Sequence, residues 1–134
     1  MKTYQGSCHC GKVKFEAKLD LATHGTGKCN CSYCSKLRMW GAMVKPADFK
    51  LTAGQDELTD YQYGAKTNHM PFCRHCGFHP YAQCFIPALG GEIYSVNVAC
   101  LDNLTPKEKS ELKVQFYDGF TENWFTPPEH TKHL

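Results

Sequence analysis

The sequence lacks a long apolar segment. No stretch within its 134 residues approaches the roughly 18 consecutive apolar residues that a helix needs to cross a bilayer. Residues 1–6 contain no apolar run of the kind found in secretory signal peptides. We therefore expect a cytoplasmic protein that does not act at a membrane.

A concentration of charge of one sign is also lacking. The chain has 15 basic and 13 acidic residues, and its formal net charge is only +2 at pH 7. Proteins that follow a nucleic-acid backbone carry clustered lysine and arginine on one face, whereas the basic residues here are dispersed. The composition therefore predicts no nucleic-acid partner and is compatible with a small anionic ligand.

Helical patterns are scarce, and short strand patterns dominate. Residues 12–17 alternate polar and apolar side chains with the period of two that a half-buried strand requires. Similar signals predict five further strands, at residues 39–44, 58–63, 80–86, 93–98 and 112–116. Eleven glycines and seven prolines are scattered along the chain, as expected where turns join many short strands.

Only two short helices are predicted. Thr105, Pro106 and Glu108 form a helix start, with Thr as the N-cap, Pro at the first helical position and Glu completing a capping box. This helix extends over residues 107 to about 112, and residues 32–37 form another short turn. Residues 126–134 include two adjacent prolines and are expected to be irregular. A chain of this length is interpreted as one domain, residues 1–134.

Cysteine, by contrast, is abundant, with nine residues. Small secreted domains pair cysteines in disulfides, but the cytosol keeps thiols reduced. The odd number and the close spacing also favour a metal over disulfides. The clusters are Cys8-His9-Cys10, Cys29-Asn30-Cys31 with Cys34, and Cys73-Arg74-His75-Cys76, and the isolated residues are Cys84 and Cys100. We expect Cys84 and Cys100, in apolar strand contexts, to be buried inert thiols.

Two of the clusters predict a closed structural zinc site. Cys73 and Cys76 are spaced as a zinc knuckle, and Cys8 and Cys10 are a tighter pair that directly precedes a strand. A glycine follows each pair and permits the backbone to reverse. Each pair supplies two of the four ligands of a tetrahedral zinc ion, so the two pairs are predicted to share one ion.

The third cluster predicts an open zinc site. Cys29, Cys31 and Cys34 place three thiols within six residues, and three protein ligands with a vacancy are typical of a catalytic zinc. Two zinc ions per chain are therefore expected. A fourth ligand would instead make this site a second structural one. A third interpretation is that the cluster binds no metal. The candidate fourth ligands are His24, His69, His75, His79, Cys84 and Cys100.

Catalysis at an open site would need a proton donor or acceptor. His69, His75 and Tyr33 are candidates because they lie near cysteine motifs in the sequence. The basic residues that flank the three-cysteine motif can meet a substrate carboxylate, although solvated surface charge is the favoured explanation for them: they are Lys28, Lys36 and Arg38.

The ordered motifs resemble those of a known family. They are Gly6-Ser7-Cys8-His9-Cys10-Gly11 with Val13 and Phe15, Cys29 with Cys31-Ser32 and Cys34, Phe72-Cys73 with Cys76-Gly77, Asn97-Val98, Leu101-Asp102, and Asp118-Gly119 with Trp124. Together they are similar to the glutathione-dependent formaldehyde-activating enzymes, a domain family (GFA) shared with centromere protein V. The resemblance covers a core of about residues 4–125.

The resemblance implies a fold, a ligand set and a reaction. The fold is a β-tent of two antiparallel sheets with zinc-binding loops and one or two short helices. Cys8, Cys10, Cys73 and Cys76 would bind the structural zinc, and the three-cysteine cluster would bind the catalytic zinc. Family members are described as carbon–sulfur lyases, and the namesake joins glutathione to formaldehyde as S-(hydroxymethyl)glutathione. The expected partners are thus a thiol such as glutathione and an aldehyde, or their adduct.

Two other functions remain open from the sequence. Small β domains stabilised by zinc also serve as non-catalytic protein-binding modules, and a fold alone does not determine function. A Cys-x-x-Cys pair can also be a redox motif. The absence of a strand-to-helix context around Cys73 and Cys76 argues against the redox interpretation.

Overall fold

The computed structural model describes all 134 residues and consists mainly of short strands. The strands are β1 (Lys2–Ser7), β2 (Lys14–Leu19), β3 (Thr26–Cys29), β4 (Gly41–Val44), β5 (Phe49–Ala53), β6 (Leu58–Thr59), β7 (Phe72–Cys73), β8 (Tyr81–Ile86), β9 (Gly91–Asn97) and β10 (Val114–Tyr117). The helices are α1 (Leu21–His24), α2 (Ser32–Leu37) and α3 (Pro106–Glu111). The longest helix has six residues, and none is long and apolar enough to cross a membrane.

The strands form two main sheets and one small one. The first sheet has the order β1-β2-β5, the second has the order β10-β3-β4-β9-β8, and β6 pairs with β7. All pairs are antiparallel except β10 with β3, which run parallel. The predicted mainly β architecture is confirmed. It differs in detail, since the second sheet is mixed, a third sheet is present, and there are three short helices.

The core lies between the two main sheets. Phe15 on β2 and Val96 on β9 are almost completely buried, because alternate residues of each strand point towards the opposite sheet. Gly6 on β1 is directly opposite Phe15, and a Cβ on Gly6 would lie 2.2 Å from the Phe15 ring. This close packing holds β1 and β2, and therefore the loop between them, in a defined position.

Most of the predicted strands are present, with shifted ends. The exception is the predicted strand 58–63, of which only β6 is formed. Beyond Thr59 the chain leaves the small sheet, and Tyr61 and Met70 then exchange two backbone hydrogen bonds within the segment that leads to β7. Strands β1, β3, β5 and β7 were not predicted. In β1 only Tyr4 and Gly6 point inward, so the apolar alternation is weak there.

The two predicted helices are confirmed. Thr105 accepts a hydrogen bond from the backbone N–H of Glu108, whose carboxylate accepts one from the N–H of Thr105, so α3 starts with a capping box. Helix α2 begins after Cys31 and ends at Leu37, and its C-cap Arg38 is in the left-handed conformation. Helix α1 is a single turn capped by Asp20 and was not predicted.

The last residues fold back onto the second sheet. Residues 126–134 contain no helix or strand, yet Leu134 is only 6% exposed. Its backbone oxygen accepts hydrogen bonds from Lys28 Nζ at 3.1 Å and Arg38 Nη2 at 3.5 Å. Two of the three basic residues considered for a substrate carboxylate therefore contact the chain itself.

Candidate metal centres

Four cysteines meet where the β1–β2 loop approaches the end of β7. The sulfur atoms of Cys8, Cys10, Cys73 and Cys76 all lie within 4.8 Å of one another. Cys10 Sγ is 3.6 Å from both Cys8 Sγ and Cys73 Sγ. A tetrahedron with Zn–S bonds of about 2.3 Å has S···S edges of about 3.8 Å. The four thiols therefore match a closed tetrahedral metal site, and no group on the chain needs to move far to form it.

Two similar turns position these sulfurs. In the first turn the N–H of Gly11 donates to the carbonyl of Cys8, and in the second the N–H of Gly77 donates to the carbonyl of Cys73. Both glycines have a positive φ, 80° for Gly11 and 78° for Gly77, which residues with a Cβ rarely adopt. Val13, which is fully buried, also donates its N–H to Cys8 Sγ at 3.3 Å. The cluster thus connects the first sheet to the small β6–β7 sheet.

The redox interpretation of Cys73 and Cys76 has no structural support. Both thiols face the other pair of cysteines, and β7 is followed by a tight turn instead of a helix. A thioredoxin-like motif requires the strand-to-helix arrangement. This pair is therefore part of the four-thiol group.

Three further cysteines meet at the start of α2. Cys29 is the last residue of β3, Cys31 is the N-cap of α2 and Cys34 lies in its first turn. Their sulfur atoms also lie within 4.8 Å of one another, and this group contains no histidine and no fourth cysteine. All three residues are partly exposed, so that a small molecule can reach the cluster from solvent.

Backbone N–H groups stabilise negative charge in this cluster. The N–H of Cys31 donates to Cys29 Sγ and the N–H of Cys34 donates to Cys31 Sγ, each at 3.4 Å. Hydrogen bonds with the thiols of Cys29 and Cys34 lower the pKa of Cys31, whereas hydrogen bonds with Cys29 and Cys31 raise the pKa of Cys34. The thiolate form is therefore favoured at Cys31 and disfavoured at Cys34. Soft thiolates in such a group are suitable ligands for zinc.

The two isolated cysteines differ from each other. Cys100 is 8% exposed and lies in a short turn after β9, so its burial is as predicted although its strand context is not. Cys84 on β8 is only partly buried, which corrects the expectation of a buried thiol. Burial and the negative charge of Cys31 raise the pKa of Cys84, which places this thiol within electrostatic reach of the three-cysteine cluster.

The candidate proton donors lie in different places. His69 is paired with the carboxylate of Asp60 at 2.6 Å, and His75 is paired with Glu57 beside the four-cysteine cluster. Tyr33, in contrast, lies between Cys31 and Cys34 in the sequence. Its hydroxyl is 3.0 Å from Nδ1 of His79.

His79 was considered in the sequence only as a metal ligand, because nothing local connects it with Tyr33, 46 residues earlier. Burial lowers the pKa of His79 and raises that of Tyr33. The lowered pKa favours the neutral imidazole, and the raised pKa keeps the Tyr33 hydroxyl protonated, so that two neutral groups share this hydrogen bond.

A groove of about 450 Å³ runs along α2. It is lined by Ser32, Tyr33, Lys36, Leu37, Tyr61, Tyr63, Phe72 and His79. Tyr33 stacks on Tyr63, and Tyr63 stacks on Tyr61, with ring centroids 5.8 Å apart in each pair. Lys36 is the only lining residue with a permanent charge, so the groove is suited to an apolar group with an anionic end.

The groove and the cysteine cluster are close together. Burial raises the pKa of Tyr63 to about 12, and the charges of Cys31 and Cys34 contribute to this shift. Tyr33 lines the groove, and the charge of Cys34 contributes to its raised pKa. A molecule of moderate size can therefore contact the groove residues near the cluster.

Two comparisons relate this arrangement to known proteins. The model of the family described as glutathione-dependent formaldehyde-activating enzyme matches residues 3–119. The chain is also similar to a protein from Rhodobacter sphaeroides of known crystal structure, with 32% identity and a TM-score of 0.69. That similarity covers 83% of this chain and 99% of the other. Since the family match spans most of the chain and all seven clustered cysteines, the chain belongs to the glutathione-dependent formaldehyde-activating enzyme family.

Proposed function

We propose that this protein is a zinc-dependent carbon–sulfur lyase that makes or breaks the adduct of a thiol, such as glutathione, with an aldehyde. The observation that carries this proposal is the cluster of Cys29, Cys31 and Cys34, which offers three accessible thiols and no fourth protein ligand. Membership of the family supports the same reaction class. The closed four-cysteine cluster would hold a second, structural zinc.

The reaction needs an activated sulfur and the transfer of one proton. When bound, zinc supplies Lewis acidity that favours the thiolate form of a substrate thiol. In adduct formation the sulfur bonds to the carbonyl carbon, the π-electron pair moves to the carbonyl oxygen, and the proton lost by the thiol is delivered to that oxygen. The reverse reaction returns that proton to the sulfur as the carbon–sulfur bond breaks. We place this reaction in the cytoplasm, where thiols stay reduced.

Tyr33 is the side chain best placed to carry that proton. Tyr33 directly precedes Cys34 in the chain, and its hydroxyl is hydrogen-bonded to His79. His69 and His75 are held by carboxylates in other parts of the surface. The groove beside Tyr33 would receive the part of the substrate that does not react, with Lys36 facing a carboxylate.

Tyr33→Phe is expected to lower kcat by about 100-fold, at the lower end of the usual range for a general acid or base, with little change in KM. The substitution removes the hydroxyl and keeps the ring that stacks on Tyr63. Tyr61→Phe is the matched control, because Tyr61 lines the same groove. Equal kcat values for the two variants would exclude Tyr33 from proton transfer.

The two metals are expected to differ in how readily they are lost. Mild treatment with EDTA should remove the metal from the three-cysteine cluster first, because that cluster has one ligand fewer and is partly exposed. The four-cysteine metal should remain until the protein unfolds, since Cys8 and Cys73 are buried. Zinc content measured against far-UV circular dichroism during the titration tests this order. Simultaneous loss of both metals would contradict it.

The proposed reaction can be tested directly. Exchange NMR of glutathione with formaldehyde measures the rate of adduct formation with and without protein, and metal analysis of the same sample gives the zinc content. A rate that rises in proportion to zinc in the second site supports the lyase. No acceleration by a protein with two bound zinc ions, over a panel of thiols and aldehydes, would refute it.

The alternative is a non-catalytic, zinc-stabilised protein-binding module. The observation in its favour is a group of exposed aromatic side chains after β10, where Phe120 is 78% exposed and Phe125 is 99% exposed. Exposed apolar side chains of this kind occur at protein interfaces. One tightly bound zinc per chain, together with no acceleration in the exchange assay, would favour this alternative.

A further inference from the structure

The turn that follows β10 lies directly against the three-cysteine cluster. A Cβ placed on Gly119 would be 2.6 Å from Cys29 Sγ and 3.1 Å from Cys31 Cβ. The same point is 2.9 Å from Cη2 of Trp124. The backbone of residue 119 can therefore approach the sulfur only because this residue is glycine, and Trp124 lies on the other side of the same narrow space.

Asn30 connects this turn to the cysteine loop. Its side-chain Nδ2 donates to Asp118 Oδ1 at 3.1 Å, and its Oδ1 accepts from the N–H of Phe120 at 2.9 Å. Its backbone N–H donates to the carbonyl of Tyr117 at 3.2 Å. Asn30 stands between Cys29 and Cys31, so these three hydrogen bonds hold the middle of the cysteine motif.

Asp118 is itself held in place by the turn. Its Oδ1 also accepts from the N–H of Thr121 at 3.1 Å, and its Oδ2 accepts from the Thr121 hydroxyl at 2.5 Å. These hydrogen bonds, from Thr121 and then from Asn30, lower the pKa of Asp118. The carboxylate is therefore ionised at neutral pH, with both oxygens in use inside the turn and one of them shared with Asn30.

We propose that Asn30 is a positioning residue for the three-cysteine metal site, which acts by holding the Asp118–Thr121 turn so that Gly119 lies beside Cys29 and bounds one side of the cluster. The inference rests on the proposed function only in taking the cluster as a metal site, and it requires no particular substrate. An amide is needed at residue 30, because this side chain donates to a carboxylate and accepts from a backbone N–H at the same time. Aspartate has the same shape but lacks the donor, and it would place a second carboxylate beside Asp118.

The test is cadmium binding to the full chain, followed by 113Cd NMR and by chelator competition. Cadmium is a thiolate-binding substitute for zinc, and its chemical shift distinguishes a four-sulfur site from a three-sulfur site. Asn30→Asp and Gly119→Ala are expected to weaken the second, three-sulfur cadmium by about 10–100-fold, as found for other groups that orient metal ligands. They should also shift its resonance and leave the four-sulfur resonance unchanged.

Conservative and control variants separate positioning from a general loss of stability. Asp118→Ala should resemble Asn30→Asp, whereas Asp118→Asn should recover most of the affinity, since its oxygen still accepts and its amide can donate to Thr121. Gly41→Ala introduces an equally close contact, 2.5 Å from Ser95 Oγ, but not with a cysteine. It should leave both cadmium resonances in place.

The outcomes distinguish this inference from the proposed function. If the unmodified protein binds two cadmium ions and Asn30→Asp has the same affinity and spectrum, the positioning role is wrong and the lyase proposal is unaffected. If the variants lose the second metal but the unmodified protein catalyses no exchange, the positioning role stands and the lyase proposal fails. If the unmodified protein binds only one cadmium ion, both are wrong.

Discussion

Cys76→Ser is expected to leave the protein unfolded at 25 °C. Structural zinc contributes about 10–16 kcal/mol to the folding of small zinc peptides, and a typical domain has a total stability of only about 5–15 kcal/mol. The four-cysteine cluster also joins chain segments that are far apart, since Cys10 and Cys73 are separated by 63 residues. Loss of one ligand therefore removes both the metal and the connection between the first sheet and the β6–β7 sheet.

Far-UV circular dichroism, size-exclusion chromatography and zinc analysis of the variant test this expectation. Cys84→Ser is the matched control, because Cys84 is partly exposed and belongs to neither cluster. The control should fold and keep both metals. A folded Cys76→Ser protein with a cooperative thermal transition near that of the control would show that the cluster does not maintain the fold.

Cys31→Ser is expected to abolish turnover and the second metal while the fold and the first metal are retained. Cys31 is the N-cap of α2, and its sulfur accepts the N–H of Cys34. Serine is among the best N-cap residues, so this substitution removes a soft metal ligand and still provides an acceptor for the start of the helix. The loss of activity can then be attributed to the metal site instead of to the helix.

The measurements are zinc content, the glutathione–formaldehyde exchange rate and the melting temperature. We expect one zinc per chain, exchange at the uncatalysed rate and a melting temperature within a few degrees of the unmodified protein. Unchanged turnover in Cys31→Ser would exclude the proposed role of the three-cysteine cluster. If Cys31→Ser is unfolded, Cys34→Ser tests the same metal site, because that variant leaves the N-cap residue Cys31 intact.

Short-range features of the structure could be predicted from the sequence. The metal clusters depend on spacing within a few residues, and the turns after Cys10 and Cys76 require the glycines that the sequence supplies there. The capping box of α3 is local for the same reason. Strands β8 and β9 were recognisable because their apolar and aromatic side chains have strong strand preference.

Other elements depend on their neighbours and carry no clear local signal. Strand β3 contains Gly27, whose missing side chain leaves room for the ring of Tyr117, 2.7 Å from where its Cβ would lie. From the local sequence alone, such a glycine predicts a turn. Only its position between β10 and β4 makes the segment a strand.

Three features could be inferred from the amino-acid sequence alone: seven cysteines with the spacing of metal ligands, a mainly β fold and the motif pattern of the family. The side chains that surround the three-cysteine cluster, in contrast, depend on long-range packing. Tyr33 meets His79 across 46 residues, Asn30 meets Asp118 across 88, and Lys28 contacts the oxygen of Leu134 across 106. The spacing within a cysteine motif is set by the geometry of one turn. These contacts instead depend on strand order and register, which arise only when the sheets pack together.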